Sequence, residues 1–156
     1  MARMTKYTTK LTETKRVVLE KEVTKNCPDL TYAIKSPDDA AAIGREFMRI
    51  HEKPEEYMYM ICMSTKNKVI GVFEISHGTV NSSLVNPREV FQKALLANAV
   101  SIILMHNHPS GECTASREDI EVTKRLVEAG KVVGVEVLDH IIIGDRYTSL
   151  KEKGYV

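Results

Sequence analysis

Residues 100–105, Val-Ser-Ile-Ile-Leu-Met, form a nearly continuous apolar run of strand length. A strand that is apolar on both faces must be covered on both faces, so this segment demands a layered fold with a central sheet. The run passes directly into His106-Asn107-His108-Pro109-Ser110-Gly111, so chemistry begins where the strand emerges from the core. A chain of 156 residues is one ordinary domain and can supply the covering layers without disulfide staples. Its net charge of +1 and 43% hydrophobic content argue against disorder and against a broadly basic nucleic-acid surface, leaving room for a local patch. No apolar run approaches the roughly 18–20 residues of a membrane span. The first residues, MARMTKYTTK, lack the apolar stretch of a secretory signal. Cys27, Cys62 and Cys113 are odd in number and contain no C-x-x-C pair, which disfavours a disulfide framework or an all-cysteine zinc site and points to a reducing cytoplasm.

The remaining elements follow from pattern. The first 25 residues carry seven Lys/Arg against three Glu, with six threonines. Residues 13–24 read as an extended basic arm or edge strand, with a nucleic-acid contact as the sharper alternative. Ser36-Pro37-Asp38-Asp39 is a helix start with the elements of a capping box. Ala40, Ile43, Phe47 and Ile50 then form one apolar face, predicting a helix that ends near His51. Strands are expected at 56–63 and 68–76, joined by a polar hairpin link at Ser64–Asn67, and a third at 78–85. Asn86-Pro87 opens a second helix to about Ala97. A third should run from Ser116 to Ala129, with Gly130 as its stop. Strands at 132–138 and 140–143 complete the order. The expected class is α+β, a mixed β-sheet flanked by helices. Neither G-x-G-x-x-G after a strand nor G-x-x-x-x-G-K-[ST] occurs, so nucleotide binding through those loops is not supported.

His106 and His108 are two apart at a strand end, which places both imidazoles on one face. Asp119 follows in the first turn of the next helix, close enough in sequence for the loop to bring its carboxylate back over the strand end. Two imidazoles and one carboxylate leave a fourth zinc position open, the catalytic pattern of ligation. A metal there would activate water and polarise a carbonyl. The reaction also needs a general base and a donor to the oxyanion. Ser116 stands three residues before Asp119 and suits the donor role; Ser116-x-x-Asp119 is also a capping box, and the two roles are compatible. Glu56 and Glu74 are the candidate bases on preceding strands. The tripeptide His-Asn-His is not the signature of an HNH nuclease, whose named residues come from separated parts of a ββα motif.

The other candidates have plainer readings. His51 should end a helix, His77 should be exposed, and His140 should be a hydrogen-bonded structural histidine or a partner of a ligand. Cys113 reads as a loop thiol. Met58, Met60 and Met63 should fill the core.

His106-x-His108, seven residues, Ser116, two residues and Asp119 match the JAMM (MPN+) metalloprotease pattern at every position. The segments GTVNSSLVNPREVFQKAL, ILMHNHPSG, SREDIEVTKRL, VLDHIIIGD and YTSLKEKGY resemble the RadC-like JAB domain family. The likeness covers residues 36–156; residues 1–35, the basic arm, lie outside it. It implies a JAB/MPN fold, similar to that of cytidine deaminases, with one Zn2+ held by His106, His108 and Asp119 and with Ser116 as the hydrogen-bonding partner of the water or oxyanion. It also implies Glu56, at the start of an early strand, as the general base ahead of Glu74.

The resulting expectation is a zinc metallopeptidase that cleaves a peptide or isopeptide bond in a protein or peptide substrate. One alternative is a non-catalytic JAB-fold binding module that acts with a DNA-processing or DNA-repair partner. Larger RadC proteins carry a helix-hairpin-helix region associated with DNA, and the stretch before residue 36 is too short for one, which weakens a carried-over repair role. A nucleic-acid enzyme is a further alternative, but the H-x-E and P-C-x-x-C signature of zinc deaminases is missing.

Overall fold

The computed structural model describes residues 2–78 and 85–156. Among them, seven strands form one mixed sheet in the order β2-β1-β4-β3-β5-β6-β7. The strands are β1 (Ala2–Leu11), β2 (Val17–Cys27), β3 (Glu56–Met63), β4 (Val69–Gly78), β5 (Ser101–Asn107), β6 (Glu136–Ile143) and β7 (Tyr147–Ser149). The helices are α1 (Pro37–Ala42), α2 (Pro87–Leu96) and α3 (Arg117–Val133). The pairs β1/β4 and β5/β6 are parallel and the others antiparallel. The expected α+β class, a mixed sheet flanked by helices, is what the chain adopts.

β5 is buried along its whole length, as its apolar run requires. Ile103 and Met105 face the side covered by α1, packing with Ala40, Ile43 and Phe47. Ile102 and Leu104 face the opposite side with Val90 and Phe91 of α2 and Val122 and Leu126 of α3. Alternation thus gives each helix layer its own half of the strand. Met58, Met60 and Met63 are fully buried, the core role expected of them.

Several boundaries differ from expectation. The strand expected at 13–24 is half of a hairpin, because residues 12–16 turn. Thr12 N–H donates to Arg16 C=O (2.9 Å) and the Thr12 hydroxyl accepts from Arg16 N–H (3.1 Å), closing a turn without glycine, proline or asparagine. The helix expected to end near His51 is α-helical only to Ala42. It widens into a π turn over Ile43–Phe47, where Met48 N–H reaches Ile43 C=O at 3.2 Å, and His51 sits in a separate 3-10 turn, Ile50–Glu52. The expected strand at 78–85 falls largely on residues 79–84, outside those described; Gly78 ends β4.

Gly130 does not stop α3. The helix continues to Val133 and is capped by Gly134, whose φ of 83° is the left-handed conformation that glycine favours. Gly130 serves close approach instead: a side chain there would run into the Val135 carbonyl as the chain turns back. The two strands expected at 132–138 and 140–143 are consequently one, β6, because residues 131–133 belong to α3. β6 carries a bulge: Val137 opposes Ile102 and Asp139 opposes Ile103, leaving Leu138 without an opposite number. An extra residue inverts the facing of everything beyond it. His140, rather than Asp139, therefore shares the α3 face with Val137.

Candidate metal centre

The site forms where β5 ends against the first turn of α3. His106 lies within β5 and is fully buried. His108 follows the strand, and its N–H donates to Ile143 C=O of β6 (2.9 Å), which keeps the chain extended for one more residue. Both rings consequently point to one side, as the spacing requires. A turn closed by Gly111 N–H on His108 C=O (2.9 Å) then carries the chain towards α3.

Ser116 caps α3. Its hydroxyl oxygen accepts from Asp119 N–H (3.1 Å), and Ser116 N–H donates to Asp119 Oδ2 (2.7 Å). This capping box fixes the carboxylate over the strand end. Asp119 Oδ1 lies 3.1 Å from His106 Nε2, and Oδ2 lies 3.3 Å from His108 Nε2. The two Nε2 atoms are 3.0 Å apart. Among the described residues, this is the group whose donor atoms converge in the manner of a metal site. Zinc–ligand bonds of about 2.0–2.2 Å in tetrahedral geometry put neighbouring donors roughly 3.3–3.6 Å apart. The three separations, two of which use different oxygens of Asp119, lie close to that edge, so small side-chain adjustments would let the residues hold such an ion. The side chain of His108 is 15% exposed and those of His106 and Asp119 almost fully covered, so the centre opens to solvent on the His108 side.

The electrostatics agree with the geometry. Burial alone would raise the Asp119 carboxyl, but the His106 and His108 rings set against it outweigh burial and hold the group far below the usual carboxylate range. The Asp119 hydrogen bond raises His108 against the opposing effect of burial; the Glu112 carbonyl and the charges of Asp119 and Glu56 add to it. His108 Nδ1 lies 2.8 Å from that carbonyl, which can only accept, so Nδ1 carries a proton and neutral His108 turns a bare Nε2 towards Asp119.

Glu56 is the first residue of β3 and is half-buried. Met58 opposes His106 across the β3/β5 ladder, so Glu56, two residues earlier, lies on the sheet face of His106 at the end of β5. Glu74 is placed differently. It lies on β4, separated from β5 by β3, and its carboxylate contacts Lys6 (3.2 Å) and His77 (2.9 Å). His77 is exposed and stacks on Tyr57. His51 is exposed at the mouth of a cavity of about 260 Å3 lined also by Arg45, His108, Gly111 and Asp145. Cys113 is half-buried in the neighbouring loop. A larger cavity, about 600 Å3, lies beside Val100, Gly134 and Glu136 and contains none of the three metal-site residues.

Sequence reasoning missed Asn107. Its side-chain oxygen accepts from Tyr57 N–H (2.7 Å) and its amide nitrogen donates to Glu55 C=O (2.9 Å). One amide thus ties the backbone on both sides of Glu56 to the strand that carries the histidines. The available signal was an amide residue between two candidate ligands, facing the opposite side of the strand. His140, expected as a hydrogen-bonded structural histidine or a ligand's partner, is both: it lies directly behind His106, with 2.7 Å between His140 Nε2 and His106 Nδ1.

A helix-flanked mixed sheet with a His-His-Asp group at the end of its central strand is the arrangement of the JAB/MPN class. The chain belongs to the RadC-like JAB domain family, whose sequence profile matches residues 34–155. It is 54% identical over 126 residues to a UPF0758 protein of Bacillus cereus (strain 03BB102), covering 80% of this chain and 55% of that protein. It is also 54% identical over 125 residues to a UPF0758 protein of Caldanaerobacter subterraneus subsp. tengcongensis, covering 80% and 53% respectively. The chain thus spans about half the length of the curated relatives it matches. No helix among the described residues is long and apolar enough to cross a membrane.

Proposed function

We propose that this domain is a zinc-dependent hydrolase that cleaves a peptide or isopeptide bond in a protein or peptide substrate. The observation that carries the reading is the donor set itself: His106 Nε2 and His108 Nε2 lie 3.0 Å apart, Asp119 reaches the first through Oδ1 (3.1 Å) and the second through Oδ2 (3.3 Å), and the group is open on one side. Three protein ligands with an open position are the catalytic pattern of zinc ligation. When bound, zinc supplies a Lewis acid and lowers the pKa of a coordinated water towards neutrality.

The chain's own residues divide the remaining work. Glu56 takes the proton from the attacking water and returns it to the leaving amine. Asn107 holds the backbone around Glu56 in register with β5. The Ser116 hydroxyl oxygen is occupied by Asp119 N–H, which leaves its proton for the oxygen that develops negative charge. The free thiols Cys27, Cys62 and Cys113 fit a cytoplasmic setting.

The test is elemental analysis of freshly purified wild type, His108→Ala and Glu56→Gln, followed by peptide and isopeptide turnover. The expected result is one zinc per chain in wild type and Glu56→Gln, its loss in His108→Ala, and turnover only in wild type. A wild type that takes up no zinc after reconstitution would sink the reading. Zinc bound equally well, with a cellular role that survives Glu56→Gln, would favour a non-catalytic binding module instead.

A further inference from the structure

The His106 ring is held from behind by a hydrogen-bonded chain that crosses three elements. His106 Nδ1 on β5 meets His140 Nε2 on β6 at 2.7 Å. His140 Nδ1 meets the Thr123 hydroxyl on α3 at 2.6 Å. That hydroxyl also lies 2.6 Å from the backbone carbonyl of Asp119, one helical turn earlier. His106, His140 and Thr123 are all fully buried, so water cannot substitute for any link.

The direction of every proton in this chain follows from its last link. A carbonyl oxygen only accepts, so the single hydroxyl proton of Thr123 goes to Asp119 C=O. The Thr123 oxygen must then accept from His140 Nδ1–H. The 2.7 Å contact between His140 Nε2 and His106 Nδ1 holds one proton, and the His140 tautomer that carries its proton on Nδ1 offers a bare Nε2 there. That bare nitrogen accepts from His106 Nδ1–H, which leaves the lone pair of His106 on Nε2, facing His108 and Asp119. Histidine ligands gain orientation and tautomer from the partner of their second nitrogen.

We infer that His140 and Thr123 are positioning residues that fix the metal-facing tautomer of His106, and that the chain is anchored on the same residue, Asp119, whose carboxylate completes the donor set. The inference rests on the metal reading proposed above. The bulge at Leu138 is what makes it possible, since without the extra residue Asp139 would face α3 in place of His140.

The test is zinc affinity of the full chain, measured by competition with a chelating dye, for wild type, Thr123→Val, Thr123→Ser and His140→Leu. Thr123→Val is nearly isosteric and strands the His140 Nδ1–H; His140→Leu strands the His106 Nδ1–H. Each should weaken zinc binding about 10–100-fold, the range for loss of a partner behind a ligand. Thr123→Ser keeps the hydroxyl and should bind within a few-fold of wild type. Circular dichroism checks that each variant is folded, and the nearly isosteric Thr123→Val keeps the test open should His140→Leu fail to fold. Side-chain 15N spectra of the zinc-loaded wild type should show His140 neutral, with its proton on Nδ1. Folded Thr123→Val that binds zinc as tightly as wild type, or a His140 proton found on Nε2, would overturn the inference while leaving the metal centre intact. A wild type without zinc would instead overturn the functional reading, and this inference with it.

Discussion

Asp139 and His140 are neighbours on β6, both buried, and the sheet turns them to opposite faces. Each anchors a polar cluster, and the two clusters end differently. The Asp139 carboxylate accepts from His140 N–H (2.7 Å), Lys151 N–H (3.0 Å) and the Ser149 hydroxyl (2.6 Å). Every group there has its partner, and the result is a closed joint that ties β6 to β7 and to the turn beyond it. The His140 cluster runs through His106 and stops at bare nitrogens beside a carboxylate. A polar network built for structure satisfies itself, whereas one built for chemistry keeps a set of donor atoms in reserve. Composition does not separate the two; the last atom in each chain does.

The same substitution at the two aspartates should break this contrast most sharply. Asp119→Ala removes a ligand, so zinc affinity should fall by more than about 100-fold, beyond the cost of losing an outer partner. The metal-free protein should lose only about 1 kcal/mol, the value of a helix cap, in urea denaturation. Asp139→Ala should do the reverse. It strands two buried donors and a part-buried third and should cost about 3 kcal/mol in the same experiment, while the folded fraction keeps its zinc. Equal stability losses in the two variants would erase the distinction.

Acidification should sharpen it next. Zinc needs neutral imidazoles, and protons compete for the same nitrogens. His108 is raised above its ordinary value of 6.5, chiefly by Asp119. A raised value means the proton competes already at higher pH, so zinc release should begin above pH 6.5 and be complete well below it. Isothermal titration across that range checks this, and an affinity independent of pH would contradict it. The smallest effect concerns Ser116. Ser116→Ala should destabilise α3 by about 1 kcal/mol and leave zinc binding nearly unchanged, because the Ser116 N–H that orients Asp119 is retained. A loss of zinc as large as that of Asp119→Ala would mean that the hydroxyl itself organises the ligands.

Much of this was legible in the sequence. The apolar run of β5, its two terminal histidines and the Ser116-x-x-Asp119 cap are local patterns, and local patterns survive folding. So do Ser36-Pro37 and Asn86-Pro87, both of which cap helices where expected. What escaped depends on contacts between distant segments. The bulge at Leu138 leaves no mark in the pattern of residues 132–143, yet it decides that His140 meets His106. Asn107 looks like filler between two histidines until β3 is laid beside β5. The turn at residues 12–16 lacks glycine and proline and is held by threonine hydroxyls, so the hairpin read as a single strand. Gly130 carried a stop signal that the neighbouring Gly134 met better, because Gly130 was already committed to close packing.

The hairpin of β1 and β2 has one more consequence. Without it, β4 would present an open margin containing Val69, Ile70, Val72 and Phe73, the kind of unpaired apolar strand on which a second molecule can nucleate. β1 pairs with β4 at Lys6–Val72 and Tyr7–Phe73 and moves the sheet's border outward to β2. The border strand carries Glu20, Lys21, Glu22 and Lys25, and β1 answers with Lys6 on Glu22 (2.9 Å) and Lys10 on Glu20 (3.3 Å). The basic excess of the first residues is thereby partly neutralised inside the hairpin, and the sheet ends on a strand of mixed charge. The segment becomes a gatekeeper that shields the apolar margin of β4 from edge-to-edge pairing.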